Sequence, residues 1–230
     1  MRKEPIVMSW SGGKDASFAL YKILQEGKYD VKYLLTNIYE PNKRVSMHGV
    51  PEVLIEAQAK SIGVPLKKIY IKESSYEEYN IKMKEMLLTF KAEGIAKVAF
   101  GDIFLEDLKQ YRLDKLAEVK MQGIFPLWKR NTNKLALEFI NEGFKSHICS
   151  IDASKVPNHL VGTTFSQKFI NDLPKEIDPC GENGEFHSYC YDGPLFDNRI
   201  DFKINGVSKQ EYEYNDIVST FIFSDISRSY

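Results

Sequence analysis

Cysteine is scarce: three residues in 230, and Cys149, Cys180 and Cys190 show no Cys-x-x-Cys spacing. An odd count without that spacing excludes a disulfide framework and a zinc ribbon. An excess of charge is also lacking. Lys and Arg number 31 against 32 Asp and Glu, a net charge of -1, so no overall basic field gathers nucleic acid or anionic lipid. No stretch approaches the ~20 apolar residues of a membrane span. The opening Met-Arg-Lys-Glu-Pro leads into an apolar run too short for a signal peptide. Repeats, linkers and low-complexity tracts are missing. The expectation is a cytoplasmic globular protein without a membrane partner. Its 43% hydrophobic and 27% charged residues are ordinary for that class, and its length suffices for a nucleotide-type domain with a smaller companion.

What is present is a rhythm. Short apolar runs at 5–10, 31–39, 65–71, 97–103 and 124–128 read as strands. Between them lie helical patterns at 15–26, 50–63, from Ser74 or Ser75 to Gly94, and at 106–122. Ala16, Ala19, Leu20, Ile23 and Leu24 share one face of the first helix. Gly27, Gly63 and Gly94 stop three helices, Pro51 opens one, and Ser74 or Ser75 with Glu77 or Glu78 makes a capping box. Such alternation implies an α/β fold, a parallel sheet with helices on both faces. Past residue 130 the rhythm weakens to one helix at 131–143, a strand at 145–152, a loop through 178–194 and a β-leaning tail at 219–225. Residues 1–130 and 131–230 are therefore expected to form two domains, the second a smaller α+β unit. Ligands of parallel sheets bind beyond the carboxyl ends of the strands, where Ser11 to Asp15, Asn37, Gly101 and Asp102 cluster.

The stretch Ser11-Gly12-Gly13-Lys14-Asp15 follows the first strand. It fits neither the Walker spacing nor Gly-x-Gly-x-x-Gly. A plain strand-to-helix turn would use Asp15 only to complement the helix dipole. A pyrophosphate loop would use freed backbone N–H groups and the helix N-terminus to hold phosphate oxygens. Asp15 repels bare phosphate, but with Mg²⁺ between carboxylate and phosphates the sign reverses. The stretch resembles the Ser-Gly-Gly-x-Asp-Ser loop of the PP-loop ATP pyrophosphatases, which split ATP between its α- and β-phosphates. Ala16 stands where that family has serine, so either Ser17 supplies the hydroxyl or pyrophosphate is held more weakly.

A second constellation packs Asp178, Glu182, Asn183, Glu185 and His187 around Gly181 and Gly184. A solvated turn is the plain reading. A calcium loop is excluded by Cys180 and Asn183 at positions that require an acid or amide and a glycine. Cys180 as nucleophile lacks an assignable base, and His187 also fits as a packed histidine. Asp-Pro-Cys-Gly-Glu-Asn-Gly-Glu-Phe-His with Tyr-Asp-Gly-Pro-Leu-Phe looks like the diphthine–ammonia ligase family. So do His-Gly-Val, Gln-Ala and Ile-Gly-Val-Pro-Leu within 48–66, and Gly-Asp-Ile-Phe-Leu-Glu-Asp-Leu-Lys-Gln-Tyr-Arg before Pro-Leu-Trp fits the same group. The matches run from about residue 6 to 197.

The resemblance implies a PP-loop, Rossmann-like fold and an AMP-forming amide ligase. A carboxylate attacks the α-phosphate of ATP, and ammonia displaces AMP from the acyl-adenylate. Lys14, Asp15, Glu182 and Glu185 are the implied catalytic residues, with Asp15 on Mg²⁺. Ser11, Gly12, Gly13, Lys14, Ser17, Asn37, Gly101 and Asp102 are assigned to ATP, and His48, Tyr111, Arg112, Gly181, Glu182, Asn183, Gly184, Glu185 and His187 to substrate. Arg112 also fits as a surface charge, and His48 as a residue shaping the loop before Pro51. The partners expected are ATP, ammonium and a carboxylate acceptor. That acceptor is protein-borne diphthine or a small molecule, because the family has bacterial-type relatives that must act on something else. A homodimer is left open. Two other functions compete: a PP-loop enzyme modifying tRNA, which calls for a basic surface, and a nucleotide-binding sensor on the same scaffold.

Overall fold

The computed structural model describes residues 3–73, 75–214 and 217–229. In chain order it contains β1 (Glu4–Ser9), α1 (Lys14–Glu26), β2 (Tyr29–Tyr39), β3 (Arg44–Val45), α2 (Glu52–Ile62), β4 (Leu66–Ile71), α3 (Tyr76–Ala92), β5 (Lys97–Ala99), α4 (Glu106–Glu118) and β6 (Gln122–Ile124). These are followed by α5 (Thr132–Asn141), β7 (Lys145–Asp152), a single 3₁₀ turn at Asn158–Leu160, α6 (Gln167–Asp172), β8 (Phe186–Asp192), β9 (Phe202–Tyr214) and β10 (Ile217–Arg228).

β1, β2, β4, β5 and β6 form a parallel sheet in the order β4-β2-β1-β5-β6. The chain winds outward from β1 through β2 to β4, then returns to the other side of β1 as β5. The strand order reverses between β1 and β5, where doubly wound sheets bind their ligands. Side chains alternate across the sheet with period two. Ile6 and Met8 face the core under α1 and α2, while Val7 and Val98 join Leu87, Phe90 and Leu116 under α3 and α4. Helices thus cover both faces.

β8-β7-β10-β9 form a second, antiparallel sheet. β7 is buried from Ser146 to Asp152. The second sheet lies over α1, which accounts for burial on both sides of that helix, including Lys14, Ser17 and Phe18. One core runs through the Phe18, Phe139, Phe144, Phe165, Phe169 and Phe186 rings into both sheets. The backbone bond from Cys190 N to Gly12 O, 2.8 Å, ties β8 to the loop after β1. Among the described residues no helix is long and apolar enough to cross a membrane.

Several expectations need correction. Leu24 is 43% exposed, on the outward side of the last turn of α1 and off the buried face expected to hold it. The helix expected at 106–122 stops at Glu118. The strand expected at 124–128 lies at Gln122–Ile124, and a turn carries Pro126, which has no N–H to give a ladder. The 178–194 loop contains β8. The two-residue β3 and the edge strand β9 had no expectation. Ser74 lies outside the described residues. Ser75 Oγ accepts from Glu78 N at 3.1 Å, but the Glu78 carboxylate turns back to Lys72 N and Glu73 N, so half of the capping box forms.

Candidate active site

The turn from β1 into α1 leaves no room for side chains. Gly12 has φ +79°, and a Cβ there would sit 2.5 Å from Ile55 Cδ1; one at Gly13 would sit 2.9 Å from His48 Cε1. Gly101, just past β5, lies against the Asp15 and Ala16 backbone, with a Cβ 2.9 Å from both. These glycines let α2, β8 and β5 close on the helix N-terminus.

Gln58 is the hub of that closure. It is fully buried; its Oε1 accepts from Trp10 Nε1 at 2.9 Å, and its Nε2 donates to Gly12 O at 2.9 Å and Cys190 O at 2.6 Å. Replacing Gln58 with leucine strands the indole N–H and takes a donor from Cys190 O, each costing about 1–3 kcal/mol, while Gly12 O keeps its bond from Cys190 N. The expected loss is roughly 3 kcal/mol or more, read as a fall in denaturation midpoint at unchanged slope.

At the reversal point lies a cavity of about 230 Å³. Around it the fold gathers Ser11, Gly13, Lys14, Asp15, His48, Gly101, Asp102, Arg112, Gly181, Glu182, Gly184 and His187. The two loops singled out in sequence are bonded to each other. Lys14 Nζ donates to Cys180 O, Lys14 N donates to Ser188 Oγ at 3.1 Å, and Glu182 Oε1 accepts from Ile103 N at 2.7 Å. Asp102 and Arg112 form an ion pair: Nη2 donates to Oδ1 at 3.0 Å, and Nε lies 2.6 Å from Oδ2. Arg112 is therefore not a free surface charge.

Charge at the cavity is unusual. Lys14 Nζ lies 2.7 Å from both Asp15 oxygens and over the Phe165 and Phe186 rings. Burial works against its charge, but Asp15, Cys180 and Glu182 outweigh that, and its pKa is raised. Burial also pushes Asp15 upward, with Lys14 opposing and Asp178 adding to the rise. Burial, then the Asp15 charge, lifts Glu182 to about 7.

The His48 and His187 rings pack 4.6 Å apart. His48 Nδ1–H donates to Ser188 O at 3.2 Å, because a carbonyl can only accept. Burial lowers His48 to about 4 and His187 well below its ordinary value, so both are neutral near pH 7. His147, outside the site, is buried and likewise lowered to about 4 by desolvation. All three folded values lie below the unfolded 6.5. The unfolded chain therefore takes up protons first, and this stability is lost as pH falls from 6.5 toward 4. Glu182 acts oppositely between 4.5 and 7. The melting temperature is expected to drop between pH 7 and pH 5. Replacing His147 with glutamine should remove roughly 2 kcal/mol of the stability lost over that interval.

Other expected site residues lie elsewhere. Ser17 Oγ donates to Gly13 O at 2.9 Å inside α1, so it does not replace the hydroxyl missing at Ala16. Asn37 and Tyr111 are not among the residues lining the cavity: Asn37 Oδ1 is buried without a hydrogen-bond partner among the described residues, and the Tyr111 hydroxyl donates to Asn80 Oδ1 at 2.6 Å. Glu185 is 3% exposed, and its Oε1 accepts from Asn183 Nδ2 at 3.1 Å. Glu185 braces the loop from inside, held by Asn183 on its exposed side. Gly12 contributes backbone only. The Cys180 thiol is buried, which pushes its pKa up, and donates to Thr132 O at 3.4 Å; it is no thiolate nucleophile.

Ser9, Phe100, Leu108, Phe186 and Ser188 line the cavity without having been expected there. Ser9 could have been found as the last residue of the first strand. Ser188 was hidden by reading β8 as loop. Among the described residues no three His, Cys, Asp or Glu side chains are placed to hold a metal by themselves.

Residues 4–122 match the family model described as the diphthamide synthase N-terminal domain, and residues 131–223 match the diphthamide synthase C-terminal domain. Similar curated proteins named diphthine–ammonia ligase include those of Rattus norvegicus (25% identical, covering 83% of this chain and 79% of the relative) and Homo sapiens (24%, the same coverage). The Danio rerio protein of that name is 25% identical, covering 83% of each. A U34-tRNA thiolase from Methanococcus maripaludis superposes with TM-score 0.38 at 16% identity over 60% of this chain and 56% of its own, a likeness that carries no argument.

Proposed function

We propose that this chain, which belongs to the diphthamide synthase family, is an ATP-dependent amide ligase that adenylates a carboxylate and lets ammonia displace AMP. One observation carries the reading. A glycine loop at a helix N-terminus and a distant acidic loop meet at one cavity, where a carboxylate with pKa near 7 lies close to a buried lysine.

Residues 1–130 handle ATP and residues 131–230 the acceptor. The loop Ser11–Gly13 and the first turn of α1 hold the β- and γ-phosphates. Gly13 N now donates to Ser11 Oγ at 3.2 Å and Lys14 N to Ser188 Oγ; phosphate oxygens take these acceptor places when the nucleotide binds. Lys14 offsets charge developing on the leaving pyrophosphate. Asp15, 32% exposed at the mouth, fits a magnesium site of one carboxylate plus substrate phosphates. Bound Mg²⁺ supplies Lewis-acid polarisation and a template for the phosphates. Gly101, Asp102 and Arg112, which line the cavity, face the nucleoside. A cavity of about 230 Å³ is below the ~300–1,000 Å³ of small-molecule sites, so loop 178–188 must withdraw to admit ATP.

An acceptor carboxylate oxygen attacks the α-phosphorus and pyrophosphate leaves. Glu182, poised near neutrality, takes a proton from ammonium. Ammonia then adds to the acyl carbon and AMP departs. Neutral His48 and His187 form a polar wall that adds no positive charge against ammonium, and Gly181, Asn183, Gly184 and Glu185 set the loop that carries Glu182. The acceptor named for the curated relatives is diphthine; a small carboxylate is the other class. The test supplies ¹⁵N-ammonium and Mg-ATP with separated protein and small-molecule fractions of the source cells. Acid-stable ¹⁵N-amide in either fraction supports ligation and identifies the class. Nucleotide turnover without label in either one overturns it.

A further inference from the structure

β9 pairs with β10 along one side, and no strand among the described residues pairs with its other side. Residues 203–211 are exposed on both faces, with Val207 at 61% and Ile204 at 54%. β7 supports β10 only at Phe221–Phe223, so the outer half of the hairpin projects beyond the sheet. An exposed ladder of N–H and C=O groups is a template for another strand, and single chains ordinarily cover or break such edges. The one register shift, at Asp225/Ile226 opposite Gly206, falls near the base of the hairpin. From Gly206 to Tyr214 the strand is regular, about 30 Å of pairable edge.

We propose that β9 joins two copies of this chain, pairing antiparallel with β9 of a second copy about a two-fold axis through Gln210. The charges select this occupant. Lys209 and Glu211 lie on the same face, opposite Ile222 and Thr220 of β10, and are 2.9 Å apart. Antiparallel pairing about Gln210 puts each Lys209 across from Glu211 of the other copy, twice per interface. Parallel in-register pairing would put lysine across from lysine, and like charges directly opposite are unfavourable. A closed two-fold contact of this kind joins the two small sheets into one and ends growth at two copies. The interface also adjoins the site. Asp225 of β10 pairs with Arg44 at 2.5 Å, and Phe223 fills the space where Gly49 lacks a Cβ, so β10 supports the loop that carries His48.

The test is disulfide trapping of the full chain. A residue on the axis faces its own copy at about 4.5–5.5 Å between Cα atoms, within disulfide reach. The native cysteines are all buried, which keeps background low. Gln210→Cys should form a disulfide-linked dimer under mild oxidation, whereas Lys203→Cys, outside the paired stretch, should not. By sedimentation, Lys209→Glu should weaken the dimer at least tenfold, and Lys209→Glu with Glu211→Lys should restore it. A wild-type chain that is monomeric at 100 μM, a Gln210→Cys chain that does not cross-link, or a dimer indifferent to Lys209→Glu would each overturn the proposal. None of these readouts depends on the catalytic reading.

Discussion

Replacing Asp15 with asparagine is expected to lower ATP cleavage on the order of 10²–10³-fold while leaving the chain folded. The amide oxygen still accepts from Lys14 Nζ, which lies 2.7 Å from the carboxylate in the wild type, but it carries no charge to hold Mg²⁺ against phosphate. Alanine at the same place should do more harm. It leaves Lys14, 4% exposed, with Cys180 O, two aromatic rings and only the more distant Glu182 carboxyl as counter-charge. Breaking a buried pair from one side costs roughly 3–5 kcal/mol. The two variants therefore separate chemistry from stability: both lose activity, and alanine alone should show a markedly lower melting temperature. Equal activity of the asparagine variant and wild type at saturating Mg-ATP would remove Asp15 from the metal role.

Replacing Glu182 with glutamine should lower amide formation on the order of 10²–10⁴-fold, the usual contribution of a positioned base. In the wild type the rate should rise with pH through about 7, where the Glu182 carboxyl loses its proton; the glutamine variant should lack that limb. Stability should move the other way. A carboxyl whose folded pKa is raised from 4.5 to about 7 destabilises the folded chain above that range. Glutamine removes this penalty, and its Oε1 can still accept from Ile103 N and Phe104 N. A less active but equally or more stable variant at pH 8 is the expected pairing. A variant that loses stability as well would mark Glu182 as a brace for the loop.

The parallel half of the fold was legible because its signals are local. Gly27 and Gly63 end α1 and α2 in the left-handed conformation that favours glycine, at φ +68° and +76°. The apolar runs of β1, β2 and β4 alternate with those helices at a regular spacing. The antiparallel half was less legible. β7 is buried on both faces and reads plainly as a strand, but β9 shows no apolar alternation over 203–211, where both faces are in solvent. β8 lies behind a turn-rich stretch whose residues Gly181 and Gly184 dominate the pattern.

Site residues divided along the same line. Lys14, Asp15, Gly101 and Asp102 follow strands of the doubly wound sheet, where topology concentrates ligands. That Glu182 meets them could not be read locally, since its contacts with Ile103 and Phe104 join segments far apart in sequence. Gln58 was visible only as part of a motif. Its burial between Trp10, Gly12 and Cys190 supplies the physical reason for that residue type. Ser17 misled because a helix position one residue away points its hydroxyl back to Gly13 O.

The claim that ATP is cut between its α- and β-phosphates is tested most directly by identifying the nucleotide product. Wild type and Asp15→Asn would be incubated with Mg-ATP, ammonium and the fraction that accepts ¹⁵N. AMP and pyrophosphate in equal amounts, formed by the wild type and nearly lost in the variant, are the predicted result. ADP and orthophosphate as the products would contradict it, because they place the cut at the γ-phosphate and leave no adenylate for ammonia to attack.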